Sequence, residues 1–183
     1  MQNSFYTERL ILKILSEPSA DKVANYYCRN YDYLKQWQSK AMATMLNPET
    51  CAEDLKFEHA MMLSGDFLRL YVFKKEDLDT IIGTVSIFNI MRGSFDSCMI
   101  GYSMDESEQG KGYMPEALLY ALEIMFNIFK IHRVEINIMP RNTRSRQVAL
   151  KLGFREEGLA KGLFEINGVW EDHIRLALIK GEI

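Results

Sequence analysis

The sequence predicts a single domain, residues 1–183, of the α/β class with mixed α+β character. Two observations support this class. Strand-like and helix-like apolar periodicity alternate along the chain, and a glycine-bearing loop joins a strand to a long apolar helix. The predicted order is a strand, two or three helices, three strands, a helix, a strand, a helix and two strands. Its strand–helix–strand–helix centre makes part of the sheet parallel, with a right-handed crossover.

Seven segments with alternating or β-branched residues are predicted to be strands: Arg9–Ile14, Phe67–Phe73, Thr80–Ile90, Cys98–Met104, Ile131–Met139, Leu159–Ile166 and Val169–Leu178. Helices are predicted over Ala20–Arg29, Asn30–Ala43, Thr50–Leu63, 114–129 and 142–153. Gly83 within the third strand indicates a bulge or a close contact. The helix 114–129 is apolar nearly all round, so we expect it to be substantially buried.

Composition is ordinary for a globular protein, with 48% hydrophobic and 26% charged residues. The net charge of −3 argues against nucleic acid as the main partner, which usually requires a basic excess. The three cysteines are scattered, as are the three histidines, so neither a disulfide framework nor a metal site is indicated. We find neither a membrane-spanning run nor a signal peptide, and expect a cytoplasmic protein.

The stretch from Glu108 to Tyr113 is a polar loop with two glycines that runs directly into the long apolar helix. The first turn of a helix carries unpaired N–H groups and the positive end of the macrodipole, so it favours an anion such as phosphate. The loop does not match the dinucleotide-binding fingerprint, because the third glycine of that pattern would fall on Pro115. It does not match a P-loop either, because the earlier glycine of that motif is absent from this sequence. Gln109-x-x-Gly112-x-Met114 instead fits an acyl-CoA loop pattern, [RQ]-x-x-G-x-[GA], except that Met114 replaces Gly or Ala.

A second motif lies downstream, where Asn142-x-x-Ser145 leads into a helix that ends in Lys151-Leu-Gly-Phe154. With this motif, the glycine loop and the opening Thr7-Glu-Arg-Leu10, the chain resembles the GCN5-related N-acetyltransferases (GNAT), specifically their RimJ/RimL-like branch. The resemblance covers almost the whole chain. It implies a central, mostly antiparallel mixed sheet of about seven strands with helices on both faces. The parallel pair, the fourth and fifth predicted strands, would lie at a splayed centre.

The resemblance also implies an activity, the direct transfer of an acetyl group from acetyl-CoA to a primary amine without a metal. Main-chain N–H groups of the glycine loop would bind the diphosphate, the fourth strand would bind the pantetheine arm, and the Asn-x-x-Ser motif would lie near the thiol. The implied cofactor-binding residues are Ser103, Met104, Gln109, Gly110, Lys111, Gly112, Tyr113, Met114, Asn142 and Ser145. The backbone around Tyr102 would polarise the thioester carbonyl, and Ser145 would protonate the leaving thiolate.

The sequence leaves the general base and the acceptor open. Glu135 on the fifth strand, or Asp105 or Glu106 after the fourth, are candidate bases. The branch implies the N-terminal amine of a ribosomal protein as acceptor, whereas a polyamine or amino sugar, or acyl-CoA sensing without turnover, are alternatives. The helix around Trp37 would form one wall of the acceptor cleft or simply cover the core. We expect no membrane partner and either a monomer or a homodimer.

Overall fold

The computed structural model describes residues 3–182, which form one mixed sheet flanked by helices. The strands are β1 (Ser4–Tyr6), β2 (Leu10–Lys13), β3 (Leu68–Lys74), β4 (Asp77–Met91), β5 (Ser97–Met104), β6 (Arg133–Ile138), β7 (Arg155–Ile166) and β8 (Val169–Ile179). The α-helices are α1 (Ala20–Leu34), α2 (Pro48–Ser64), α3 (Tyr113–Glu123) and α4 (Thr143–Lys151). A π-helical turn, Ile124–Ile128, continues α3, and short 3-10 turns cover Glu17–Ser19, Lys40–Leu46 and Glu106–Glu108.

The strands of the described chain lie in the order β1-β2-β3-β4-β5-β6-β8-β7. Each neighbouring pair is antiparallel except β5 and β6, which are joined through α3 and run parallel. The predicted mixed sheet with a central parallel pair is therefore confirmed. All seven predicted strands are present, and the residues described add an eighth, β1, which pairs with β2 at the edge. Three residues are too short a run for periodicity to reveal.

The predicted break between the first two helices is wrong. Helix α1 continues past Asn30 to Leu34, and a turn followed by the 3-10 segment Lys40–Leu46 replaces the second helix. Asn30 is buried, and its Nδ2 donates to the Tyr26 carbonyl oxygen (2.9 Å) and to the Asp105 carboxylate (3.1 Å). These contacts satisfy the side chain within the helix, so the usual helix-breaking tendency of asparagine is overridden.

Helices cover both faces of the sheet, as the sequence resemblance implied. One apolar cluster packs α3 and α4 against β4, β5, β6 and β8, and a second packs α1 and α2 against β3 and β4. Five of the eleven α3 residues are buried, whereas Leu119 on α3 and Ile128 in the π-helical turn that follows are exposed, so burial of this helical segment is one-sided. Within residues 3–182, no helix combines the length and apolarity needed to cross a bilayer.

Candidate functional site

The centre of the sheet opens where β5 and β6 separate. The two strands pair only over Ser97–Met99 and Arg133–Glu135, and they diverge beyond that point. The Asp105 N–H donates to the Ile82 carbonyl oxygen on β4 (2.8 Å). Because amide directions alternate along a strand, the N–H groups of Tyr102 and Met104 point the other way, into the gap. The gap therefore presents unpaired main-chain donors to whatever occupies it.

A cavity of about 640 Å³ fills this gap and extends to both faces of the sheet. Tyr102 and Met104 direct their side chains toward the α3 and α4 side, where they join the larger apolar cluster. The alternate residues of β5 face α1. Ser103 shows this, because its buried hydroxyl lies 2.9 Å from the Tyr26 hydroxyl on α1. The cavity thus joins two chemically distinct compartments, one beside α3 and α4 and the other beside α1.

The glycine loop forms one end of the compartment beside α3. Gly110 (φ 76°) and Gly112 (φ 82°) both adopt left-handed conformations, and Gly112 immediately precedes the first residue of α3. L-residues with a side chain disfavour this region, so the sequence uses glycine where the turn requires it. Lys111 makes an ion pair with Glu108 (2.8 Å) beside the loop. The loop and the helix N-terminus together form a concave backbone surface suited to an anion.

Arg9 braces the loop from outside the sheet. Its Nη1 donates to the Lys111 carbonyl oxygen (2.9 Å), its guanidinium lies 4.7 Å from the centre of the Tyr113 ring, and its Nε contacts Glu116 (2.7 Å). Thr7 also donates to Glu116 (2.6 Å). Burial opposes ionisation of Glu116, but these hydrogen bonds outweigh it and lower its pKa. Thr7 and Arg9 of the Thr-Glu-Arg-Leu opening therefore attach the glycine loop and the start of α3 to the beginning of β2.

Met114, the departure from the loop pattern, directs its side chain into the core. The side chain is 6% exposed, and its Cε lies 3.4 Å from the point that a Cβ on Gly83 would occupy. That same Cβ would approach the Ser103 carbonyl oxygen to 2.8 Å, so the close contact predicted at Gly83 is confirmed. The absence of a side chain on Gly83 therefore leaves room for the Met114 side chain.

Asn142 and Ser145 lie at the start of α4, on the other side of the gap. The Asn142 side-chain oxygen caps the helix by accepting from the Ser145 N–H (3.2 Å). The Ser145 hydroxyl donates to the Tyr102 hydroxyl (2.8 Å), which in turn donates to the Ser145 carbonyl oxygen (2.8 Å). Burial raises the pKa of Tyr102 to about 12, so its phenol stays protonated over the working pH range. Two coupled hydroxyl groups therefore lie in the cavity wall.

Three other predicted site residues have their polar groups bound to neighbours within the fold. The main-chain groups of Ser103 point toward β4, and its hydroxyl is also 2.9 Å from that of Thr84. Glu135 does not line the cavity; burial raises its pKa, but ion pairs with Arg133 (2.8 Å) and Arg175 (3.1 Å) lower it overall. Asp105 is bound by Arg29, Asn30 and Ser107. Each of these groups is already satisfied by neighbours within the fold.

The compartment beside α1 contains residues that the sequence did not reveal as site residues, apart from Trp37. Aromatic rings dominate its wall, together with an arginine, two amides and a histidine: Tyr27, Tyr33, Trp37, Gln38, Phe67, Arg69, Phe88, Asn137 and His173. Arg69 is neutralised by Glu58 on α2. Since these residues come from six separate segments, no local motif could have signalled them. The aromatic spacing around Trp37 was the one available sign.

His173 is buried in this wall and held in a fixed orientation. Its Nδ1 lies 3.0 Å from the Glu171 carbonyl oxygen, and its ring meets Phe164 edge-on at 5.1 Å. A carbonyl oxygen only accepts hydrogen bonds, so Nδ1 is the donor, which leaves Nε2 as the nitrogen with the lone pair whenever the ring is neutral. Among the described residues, no group of three or more potential ligands is arranged to hold a metal ion.

An opened parallel pair, inward amides and a glycine loop at a helix N-terminus define an acyl-CoA-dependent acyltransferase site. The family model "Acetyltransferase (GNAT) domain" matches residues 9–155. The [Ribosomal protein uS5]-alanine N-acetyltransferase of Escherichia coli K12 is 35% identical over 172 residues, covering 94% of this chain and 88% of the relative. The chain belongs to the GNAT family, which confirms the sequence-based expectation of an N-acetyltransferase.

Two solved structures support the same assignment. A ribosomal-protein-S5-alanine acetyltransferase from Vibrio fischeri has a TM-score of 0.92 at 34% identity, with 99% of this chain and 98% of that chain covered. Mycobacterium smegmatis RimJ, solved with a CoA-disulfide, has a TM-score of 0.88 at 27% identity, with 95% and 83% covered. The expected resemblance to the RimJ/RimL-like branch is therefore confirmed.

Proposed function

We propose that this protein transfers an acetyl group from acetyl-CoA to the N-terminal α-amine of a ribosomal protein in the cytoplasm. The observation that carries the proposal is the gap between β5 and β6, which links the glycine loop on one face to an aromatic compartment on the other. One compartment suits a thioester donor and the other an amine acceptor. The similarity to enzymes named for uS5 alanine acetylation supports the choice of acceptor.

The residues of the donor compartment have the chemistry that acetyl-CoA requires. The diphosphate would be held by main-chain N–H groups between Gln109 and Met114, at the N-terminus of α3. The extended pantetheine arm would pair with the open edge of β5 through Met104, as an added strand does. Asn142 and Ser145 would lie opposite, at the start of α4. When bound, acetyl-CoA supplies an activated acyl group whose leaving group is a thiolate.

Three groups of this chain would assist the transfer. The Tyr102 N–H, which points into the gap, would donate to the thioester oxygen as negative charge develops there. The Tyr102 hydroxyl, which accepts a hydrogen bond from the Ser145 hydroxyl, would hold Ser145 beside the departing sulfur, and Ser145 would turn to give that sulfur its proton and regain one from solvent. The new C–N bond forms as the C–S bond breaks, and the acceptor nitrogen loses one proton. Positioning supplies most of the acceleration in such a reaction.

For that last proton, the cavity offers His173 in place of Glu135. His173 lines the acceptor compartment, whereas Glu135 does not and is paired with two arginines. An ordinary N-terminal amine has a pKa of about 7.7–8.0, so a fair fraction is already neutral near pH 7. A modest base is therefore sufficient for an α-amine, while a lysine side chain with a pKa of about 10.4 would demand more.

A thiol-release assay with a panel of amines tests the proposal. We expect rapid release with peptides that begin with the N-terminal residues of ribosomal proteins, and slow release with an internal lysine peptide, a polyamine or an amino sugar. Faster turnover of the small amines would replace the acceptor assignment with the alternative one. Tight binding of acetyl-CoA without release for any amine would indicate a sensor.

A further inference from the structure

Three buried side-chain polar atoms among residues 3–182 have no hydrogen-bond partner: Trp37 Nε1, Gln109 Oε1 and Asn137 Oδ1. All three residues line the cavity. A buried polar atom left unpaired loses its hydrogen bonds to water without replacement, so native proteins rarely keep one without a reason. The gathering of all three around one cavity indicates that a polar ligand completes their hydrogen bonding.

Two of these atoms, one donor and one acceptor, belong to the acceptor compartment. We propose that Asn137 Oδ1 accepts a hydrogen bond from the acceptor's α-amine, and that Trp37 Nε1 donates one to the carbonyl oxygen of its first residue. The pair would thus select amines that carry a carbonyl group two bonds away, which defines an N-terminal peptide. This inference rests on the proposed function and specifies how its acceptor is chosen.

Asn137 is placed to meet an amine at the reaction centre. It follows Glu135 by two positions on β6, just past the point at which β5 and β6 separate, and its side chain faces the α1 side. Its Nδ2 makes only a long contact with Met99 Sδ (3.7 Å). Rotating the amide toward the gap therefore sacrifices little, and an amide oxygen is a good acceptor for an amine N–H.

Trp37 is held by contacts to its ring face and to its neighbours, which leaves the indole N–H for a ligand. The Arg141 guanidinium lies 4.9 Å from the ring centre and is itself fixed by Glu171 (2.8 Å) and the Gln36 carbonyl oxygen (3.2 Å). The Asn167 N–H, at the tip of the β7–β8 hairpin, donates to the Gln38 carbonyl oxygen (3.0 Å). The residues on either side of Trp37 are thus attached to Arg141, which follows β6, and to the turn between β7 and β8.

The test compares two acceptors on three proteins. The acceptors are an alanine-initiated peptide and its analogue in which the first carbonyl group is replaced by methylene. The Trp37→Phe variant keeps a ring for Arg141 but loses the N–H, and Trp170→Phe, at an exposed hairpin position, is the matched control. We expect Trp37→Phe to raise KM for the peptide about tenfold, because one hydrogen bond is lost, and to leave KM for the analogue within about twofold.

Asn137→Leu, which has a similar shape and no amide, should raise KM about tenfold for both acceptors, since both retain the amine. Equal effects of Trp37→Phe on peptide and analogue, or no effect on either, would overturn the assignment of the carbonyl to Trp37. An unchanged KM in Asn137→Leu would overturn the assignment of the amine to Asn137. A wild-type protein that acetylates no N-terminal peptide would instead overturn the proposed function, and this inference with it.

Discussion

Replacing Gly112 by alanine tests whether the glycine loop binds the diphosphate. Gly112 has φ 82° and ψ 6°, a left-handed conformation that costs an L-residue about 1–2 kcal/mol. The added Cβ would lie 3.3 Å from Arg9 Nη2, a flexible group that needs to move by only a few tenths of an ångström. Backbone strain is therefore the main effect. If the loop of the variant leaves the left-handed conformation in the free protein, acetyl-CoA binding must restore that conformation. The strain then lowers the affinity for acetyl-CoA by about 5–30-fold.

Gly65 provides a matched control, because it has nearly the same conformation (φ 83°, ψ 14°) at the end of α2, with nothing near its missing Cβ. Gly65→Ala should lower Tm by about 2–8 °C, the equivalent of the same strain, and leave the Kd of coenzyme A unchanged. Gly112→Ala should lower Tm by less than Gly65→Ala does. Calorimetry should show a higher Kd of coenzyme A for Gly112→Ala. Equal Kd values for the two variants would contradict the placement of the diphosphate in this loop.

Two further comparisons address the chemistry. Ser145→Ala should lower kcat about 100-fold with little change in acetyl-CoA affinity, because it removes the proposed proton donor. Tyr102→Phe should lower kcat less, because it keeps the main-chain N–H. Steady-state kinetics and calorimetry on the two variants would distinguish these roles, and an unchanged kcat in Ser145→Ala would exclude the acid role. His173→Gln should lower kcat/KM for a peptide about 100-fold, whereas Glu135→Gln should stay within about twofold; the reverse ranking would reinstate Glu135 as the base.

The fold was largely predictable because each element carries a local signal. The long β4 is β-branched, the hairpin between β7 and β8 turns at Asn167-Gly168, and α4 begins at a capping asparagine. Prediction failed where a distant contact decides the outcome. Asn30 continues a helix because Asp105, 75 residues away, accepts its side-chain hydrogen bond. Local propensity contains no information about such a partner.

The same distinction separates the two halves of the candidate site. The donor half follows from consecutive residues, since the loop from Gln109 to Met114 and the start of α4 are each continuous in sequence. The acceptor half depends on single residues such as Trp37, Arg69 and His173, which become neighbours only through the order of the strands. The role of Thr7 and Arg9 was equally hidden, because their shared partner Glu116 lies more than 100 residues away.

The gap that joins the two halves lies between two antiparallel ribbons of the sheet. β5 stays paired with β4 as far as Met104, and β6 stays paired with β8 as far as Ile138, so each edge belongs to a firmly held antiparallel ribbon. The main-chain groups of β5 that face the gap take no part in its ladder with β4, so they remain available to another extended chain, as at any unpaired strand edge. Since β6 pairs with β5 only over Ser97–Met99, an extended ligand arm can pair with the rest of this edge without first displacing a strand. Because the edge is already in place, binding does not incur the cost of ordering it.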